Sequence, residues 1–155
     1  MNARTLITAL TLAALVYAPQ PMSADTGFDL LTPGEIALRR DTAPTRNLNP
    51  LKTDGPEIKI HAPQSSTLAS PVDFDVEILP RDGVEPDLGS LQIEYRIGPI
   101  WTDVTDRLRA NAEFVGLRMR APGARLPSGK HNLRLTIEDI HGGVTVARLS
   151  FTVND

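Results

Sequence analysis

The chain contains no cysteine among its 155 residues. It therefore cannot form a disulfide framework, a thiolate metal site, a cysteine nucleophile or a lipid-modified cysteine. A basic excess is lacking too, since the formal net charge is −3, and this argues against nucleic acid or an anionic membrane as partner. A domain without disulfides must be held together by the burial of its apolar side chains, and about 100 residues suffice for that.

Motifs for the common enzyme chemistries are missing as well. The chain has neither a glycine-rich phosphate loop nor a Gly-x-Ser-x-Gly elbow. Ser128 and His131 are the nearest serine–histidine pair, but both belong to a predicted hairpin turn. Asp73, Asp75 and Glu77 share one strand face, where they lack the contrasting environments that the two carboxyl groups of a glycosidase need. We therefore expect no catalytic residues, and an enzyme of unfamiliar type is the least favoured hypothesis.

One apolar run stands out, at the start of the chain. Residues 5–18 (TLITALTLAALVYA) follow Arg4, carry no charge and are too few to span a bilayer. The small residue Ala24 is the natural cleavage point. The pattern predicts a signal peptide over residues 1–24 and a periplasmic or secreted bacterial protein without a transmembrane segment in its mature chain. A retained N-terminal anchor is the alternative.

The next segment, residues 25–55, is polar and interrupted by prolines, which predicts a flexible or loosely docked N-terminal arm. One local signal lies within it. Thr32-Pro33-Gly34-Glu35 has the N-cap, N1 and N3 residues of a capping box, and it predicts a short helix near residues 33–40. Such a helix is too short to be stable alone, so it must pack on the domain, bind a partner or stay mostly unfolded. Because it would bury little area, we expect the arm to be dispensable for folding.

After Pro56, apolar residues recur at every second position. This alternation covers six segments, 58–60, 72–78, 91–97, 115–119, 133–137 and 147–153. One buried and one solvated face per strand is typical of antiparallel sheets. Six such strands, separated by Pro- and Gly-rich turns, predict an all-β fold, an antiparallel β-sandwich. The expected core residues are Phe74, Tyr95, Leu117, Leu135 and Phe151.

A different pattern lies between the third and fourth segments, over residues 101–108. Here Asp103 or Thr102 can cap a single helical turn. That turn would carry Val104 and Leu108 inward.

The last third of the chain reads LPSGKHNLRLTIEDIHGG and closes on LSFTV. It resembles the final hairpin of bacterial immunoglobulin-like domains, with a Leu-x-x-Gly turn, a strand that begins with Tyr or His, and a closing Phe-Thr-Val strand. The resemblance implies an immunoglobulin-like sandwich of about seven strands over residues 56–155. His131 stands where many relatives carry Tyr.

Domains of this kind serve adhesion, enzyme-accessory and scaffold roles alike. The resemblance therefore favours a non-enzymatic exported interaction or scaffold module that binds another periplasmic or cell-surface protein. It also implies that the second and fifth strands are neighbours in one sheet. Asp73 or Asp75 should then lie within salt-bridge distance of Arg118 or Arg120.

A weaker resemblance is to the small periplasmic copper-carrier sandwiches, which also end in an Asp/Gly/His turn and a Phe-x-Val strand. It makes a periplasmic metal (copper) carrier the alternative function. That family binds copper partly through a histidine at the mature N-terminus, whereas the mature chain here would begin at Asp25. His61, His131 and His141 are also too scattered to share an ion, so we predict neither a metal site nor a cofactor.

Loop carboxylates are suitable ligands for calcium. Asp82, Glu85 and Asp87 form one candidate set, and Asp103 with Asp106 forms another. Turns and helix caps account for the same residues, so calcium is left open.

Overall fold

The computed structural model describes residues 27–39 and 53–154. These residues form two five-stranded sheets and two short helices, so the all-β sandwich predicted from alternation is confirmed. No helix among them is long and apolar enough to cross a membrane. The signal peptide predicted for residues 1–24, its cleavage near Ala24 and residues 40–52 of the arm lie outside the described residues.

The two sheets differ in which strands they bring together. In spatial order, the first sheet contains β1 (Phe28–Asp29), β8 (Arg118–Arg125), β4 (Val72–Leu79) and β2 (Glu57–Ala62), with β7 (Glu113–Val115) also paired to β8. The second sheet contains β3 (Thr67–Ala69), β10 (Val144–Asn154), β9 (Gly129–Asp139), β5 (Pro86–Ile97) and β6 (Ile100–Asp103). Helix α1 (Pro33–Leu38) precedes β2, and helix α2 (Thr105–Ala110) follows β6. This strand order is compatible with an immunoglobulin-like domain.

Most strand pairs are antiparallel, as predicted. The pairs β1 with β8 and β3 with β10 are parallel and involve only two or three residues of the shorter strand. These short strands, like β6 and β7, are not visible as alternation in the sequence. Alternation needs several consecutive residues to be recognised, which a strand of two to four residues does not supply.

The core lies between the sheets and follows the alternation closely. Phe74, Tyr95, Leu135 and Phe151 are all at most 4% exposed, which confirms four of the five predicted core residues. Phe74 and Phe151 meet edge to face across the core with their ring centroids 6.2 Å apart, an arrangement that aromatic pairs favour.

The fifth predicted core residue, Leu117, is only half-buried, so that prediction is wrong. The expected strand over 115–119 is in fact a hairpin. β7 ends at Val115, the chain reverses through Gly116 at a φ of 59°, and β8 begins at Arg118. Glycine tolerates this left-handed conformation without a steric penalty.

Val104, at the start of helix α2, and Leu108 within it point inward, each 1% exposed, as predicted. The capping of this helix differs from the expectation in detail. The N-cap residue is Val104, and the side chain of Asp103 instead accepts a hydrogen bond of 2.8 Å from the amide of Thr105. The hydroxyl of Thr105 in turn accepts from the amide of Ile93 at 2.8 Å, and this bond fixes the helix to β5.

Residues 27–39 pack on the domain, which is one of the alternatives that the sequence leaves open for this segment. β1 pairs with β8, and the two leucines that follow it, Leu30 and Leu31, are 0% and 2% exposed and belong to the core. Burial of two leucine side chains is enough to hold such a segment on the domain. The capping box of α1 is confirmed, although the helix ends at Leu38 rather than near residue 40.

Candidate interaction surface

Helix α1 is fixed to the domain at its N-terminal end by an ion pair. Glu35 closes the capping box by accepting from the amide of Thr32 at 2.7 Å, and its two carboxylate oxygens also accept from Arg107 at 2.7 and 2.9 Å. The hydrogen bonds from the Arg107 guanidinium lower the pKa of Glu35 to about 2. Arg107 further donates to the carbonyl of Leu30 at 3.0 Å, so one side chain holds both the helix and the segment before it.

The C-terminal end of α1 has its own attachment. Arg39 donates to the carbonyls of Ser128 and Lys130, at 3.2 and 2.9 Å, where β9 begins. The helix is therefore attached at both ends. Between these attachments its two large apolar side chains remain in solvent, since Ile36 is 40% exposed and Leu38 is 71% exposed.

Leu38 lines one wall of an apolar pocket of about 310 Å³, which we name the α1–β6 pocket. The turn between β5 and β6 and the start of β6 supply the rest of its lining. Its main residues are Glu35, Leu38, Ile97, Pro99, Ile100 and Thr102. Ile97 forms a buried floor at 7% exposure, whereas Ile100 is 64% exposed. Two of the most exposed apolar side chains of the described chain thus lie in one pocket.

The turn that places Ile100 is short and well defined by its residues. Gly98 has a φ of 58° and Pro99 follows it, which suits a two-residue hairpin turn with glycine at its first central position. The turn pairs Ile97 with Ile100. It thereby fixes which side chains of β6 lie on the pocket side of the sheet.

β6 is the outermost strand of the second sheet in the described chain. The amide of Val104 donates to the carbonyl of Ile93 at 2.9 Å. Because hydrogen-bonded pairs recur at every second residue of an antiparallel ladder, Thr102 and Ile100 also bond to β5. The N–H and C=O groups of Trp101 and Asp103 therefore point away from the sheet. We name this open side the β6 edge.

The side chain of Trp101, the only tryptophan, lies on the outer face of the second sheet. The Arg134 guanidinium carbon lies 4.7 Å from the ring centroid, and that of Arg96 lies 5.9 Å away, both within cation–π range. Arg134 also donates to Glu94 at 2.6 Å. These contacts give β6 a fixed position although it is an edge strand.

The outer face of the first sheet carries the charge pairs predicted from strand order. Arg118 binds Asp75 through two hydrogen bonds of 2.6 Å each, and Arg120 approaches the same carboxylate at 3.5 Å. β4 and β8 are antiparallel neighbours. Both the predicted pairing and the predicted neighbourhood of these two strands are confirmed.

A wider groove of about 690 Å³ lies over this face, lined in part by Asp73, Asp75, Arg120 and Asn111. Two of its carboxylates already have partners, since Asp73 accepts from the amide of Gly123 at 2.8 Å and Asp75 binds Arg118. The hydrogen bonds from Arg118 lower the pKa of Asp75. A glycosidase acid needs a raised pKa instead, so Asp75 is unsuited to that role.

Glu77 is likewise unsuited to act as a glycosidase acid, because its hydrogen bond with His61 lowers its pKa. The His61 ring nitrogen and the Glu77 carboxylate are 2.9 Å apart. This histidine is thus engaged with a carboxylate of the neighbouring strand.

His131 is the most deeply buried histidine, at 1% exposure. Its Nε2 lies 2.9 Å from the Pro127 carbonyl, which can only accept, so Nε2 carries the proton and Nδ1 accepts from the Tyr95 hydroxyl at 2.8 Å. The ring stacks on Phe151 at 5.3 Å between centroids. Burial, with a contribution from the charge of Arg39, lowers the pKa of His131 to about 4.

The hydrogen-bond partners of His131 bear on the Ser128–His131 pair and on the position where many immunoglobulin-like domains carry tyrosine. With both ring nitrogens engaged, the ring is not positioned to activate Ser128, and that pair does not form a nucleophile and its base. The bond from Nε2 reaches back four residues to a backbone carbonyl. A tyrosine hydroxyl makes a similar bond in many immunoglobulin-like domains.

The candidate metal ligands are dispersed. His141 is exposed in the turn after β9, apart from the pairs that engage His61 and His131. In the described ranges, no group of three or more His, Asp or Glu side chains is arranged to hold a metal ion. Asp87 accepts from the amide of Gly89 at 2.9 Å, and Asp103 accepts from Thr105, so local turns use these two calcium candidates.

Sequence reasoning did not identify the α1–β6 pocket or the β6 edge. The capping box did locate α1, whereas the segment that forms β6 was predicted only as part of a helical turn over residues 101–108. Leu38 and Ile100 are far apart in the sequence, however, and no local pattern relates them. Compared with protein-family models, with characterised proteins and with solved structures, the chain shows no significant match.

Proposed function

We propose that the protein is a non-enzymatic, exported interaction module of the immunoglobulin-like kind, and that it binds another protein through the surface around α1 and β6. The observation that carries the proposal is the pairing of Leu38 and Ile100. These two apolar side chains, 71% and 64% exposed, share one pocket. Clustered exposed apolar side chains mark interaction sites, whereas single ones are ordinary.

The attachments of α1 support a binding role. Two ion-paired or hydrogen-bonded arginines, Arg107 and Arg39, hold the helix in place. A preformed surface loses little conformational entropy when a partner binds. From this segment Leu30 and Leu31 belong to the core and Phe28 packs against it, whereas Leu38, at 71% exposure, contributes little to the core.

The metal carrier that the sequence left as an alternative has no specific observation in its favour. The imidazoles of His61 and His131 are each engaged with other groups of the domain, Glu77 and Tyr95. Metal analysis of the untagged protein tests the alternative directly. A stoichiometric metal that is lost in a His61→Gln or His141→Gln variant would support the carrier and contradict our proposal.

Site-specific photo-crosslinking tests the interaction module. A photoreactive amino acid is placed at Leu38, at Ile100 or at Ile140, a control that is equally exposed, at 62%, but lies in the turn after β9. We expect one crosslinked protein from an extract of the producing cells at positions 38 and 100. We expect none at position 140, and excess unlabelled protein should compete. Equal crosslinking at all three positions, or none at 38 and 100, would contradict the proposed surface.

Export is part of the proposal and has its own measurement. The intact mass of protein recovered from the periplasm or medium should correspond to a chain that begins at Asp25. A mass that still includes Met1 would argue against cleavage and in favour of a retained anchor.

A further inference from the structure

We propose that the partner binds by strand addition: an extended segment of it pairs with the β6 edge and continues the second sheet. This inference rests on the proposed function and specifies how the partner is held. The outward N–H and C=O groups of Trp101 and Asp103 offer two donors and two acceptors in the geometry of a sheet edge. An added strand uses such groups, and backbone hydrogen bonds then provide affinity.

The side chains of the added strand would alternate between two environments. Ile100 and Thr102 belong to the pocket side of β6, because they pair with the inward-facing Ile97 and Tyr95. A partner residue opposite Ile100 therefore reaches the α1–β6 pocket beside Leu38. The volume of about 310 Å³ accommodates one or two apolar side chains, which provides specificity in addition to backbone pairing.

The opposite face selects for charge. Asp103 lies on that face, at the edge and exposed, and hydrogen bonds from Thr105 and Gln92 lower the pKa of its carboxyl group. Opposite charges that face each other across neighbouring strands attract. The partner segment is therefore an extended peptide with apolar residues at alternate positions and a Lys or Arg opposite Asp103.

The charge requirement distinguishes this partner from a second copy of the chain. β6 itself reads Ile-Trp-Thr-Asp and carries no basic side chain. Two β6 edges paired with each other would leave Asp103 without the complementary charge. A symmetric pairing of two β6 edges therefore fits the surface poorly, and the occupant that we propose is a segment of a different protein.

A displayed library of random dodecapeptides supplies the probe. Peptides selected on the folded protein should share apolar residues at alternate positions and a basic residue between or beside them. The Ile100→Lys variant should weaken their binding by about tenfold or more, whereas Ile140→Lys, at a matched exposure, should leave it unchanged.

Two further measurements separate strand addition from simple apolar contact. On binding of a selected peptide, the amides of Trp101 and Asp103 should become protected from hydrogen exchange, whereas those of Ile100 and Thr102, already bonded to β5, should change little. The Asp103→Asn variant keeps an acceptor for the Thr105 amide but removes the charge. It should weaken binding and reduce its salt dependence, and Asp106→Asn on α2 is the matched control.

Each outcome supports or overturns the inference. Selected peptides without alternation, or binding that leaves the Trp101 and Asp103 amides unprotected, would overturn strand addition. Self-association that is lost in Ile100→Lys, measured by analytical ultracentrifugation, would overturn a different protein as the occupant. Crosslinks at positions 38 and 100 without amide protection would leave the interaction module standing and remove only this mode of binding.

Discussion

His131 is expected to make the stability of the domain depend on pH between about 4 and 6.5. Its pKa is lowered from the ordinary value of 6.5 to about 4 because the buried ring is separated from water and lies near the charge of Arg39. The unfolded chain therefore takes up a proton more readily than the folded chain does. Stability is highest above the unfolded pKa and falls as the pH decreases through 6.5 towards 4.

The size of the effect follows from the two pKa values. Each pKa unit corresponds to about 1.4 kcal/mol, so a change from 6.5 to about 4 lowers the free energy of unfolding by about 3 kcal/mol over the whole range. About 2 kcal/mol of this falls between about pH 6.5 and about pH 4.5. Since His131 is 1% exposed, solvent screening reduces the effect little.

The pH window must be chosen to exclude the carboxylates. Glu35 has a pKa lowered from 4.5 to about 2, and the pKa of Asp75 is lowered as well. Their contributions to stability are present above their unfolded pKa values and are lost as the pH falls below them. From about pH 4.5 upward most of the carboxylate effect is absent, and what remains is common to the parent and to a variant without the imidazole, so the difference between their profiles reports on His131.

Urea unfolding of the parent and of a His131→Phe variant, measured across this window, tests the reasoning. Phenylalanine keeps the stacking on Phe151 but cannot titrate. The variant should be less stable near neutral pH, because the buried Tyr95 hydroxyl loses its partner, yet its stability should change with pH by about 2 kcal/mol less than that of the parent.

A His141→Gln variant provides the control, because the ring of His141 is exposed. The pH dependence of its stability should parallel that of the parent. Parallel pH profiles for the parent and His131→Phe would refute the argument. Should His131→Phe not fold, the imidazole resonances of the parent can be followed directly by NMR, and a midpoint near pH 6.5 would refute it equally.

The remaining predictions concern burial and use matched exposed controls in denaturant unfolding. Leu30→Ala should lower the free energy of unfolding by about 2–5 kcal/mol because the residue is fully buried, whereas Leu38→Ala should lower it by less than about 0.5 kcal/mol. Equally small losses for both variants would support the expectation that the arm is dispensable for folding. Phe151→Ala should lower the free energy of unfolding by about 3–5 kcal/mol, much more than Phe114→Ala, since Phe114 is 41% exposed. Similar losses for the two variants would mean that Phe151 lies on the solvent face of β10. Thr145→Val should raise stability by about 1 kcal/mol, because the hydroxyl is buried without a hydrogen-bond partner among the described residues; a loss of that size would show that the hydroxyl is satisfied.

Several features of the fold were predictable because they depend on neighbouring residues alone. Alternation of apolar and polar residues is local, and it located β4 at Val72–Leu79 and the central parts of β5, β9 and β10. The capping box is a contact between residues three positions apart, so Thr32 and Glu35 were sufficient to place α1. The pairing of Asp75 with Arg118 followed once the strand order was assumed.

Where local patterns misled, a turn or a short strand was the cause. Val115, Leu117 and Met119 keep the parity of a strand, yet Gly116 reverses the chain between them. The two-residue turn reverses the parity, because it pairs Val115 with Arg118 and Phe114 with Met119 on shared faces. The alternating apolar pattern alone does not distinguish this turn from a continuous strand.

Contacts between residues that are distant in the chain were decided only by the tertiary structure. Arg107 lies 72 positions from Glu35, and the ion pair between them helps to hold α1 on the domain. Tyr95 and His131 are 36 positions apart, and their side chains form a hydrogen bond in the core. The burial of His131 at this place lowers its pKa. The α1–β6 pocket arises in the same way, because Leu38 and Ile100 meet only when α1 docks beside the edge of the second sheet. Local sequence determines which elements form, whereas the surface they build depends on how the two sheets and the docked segment pack together.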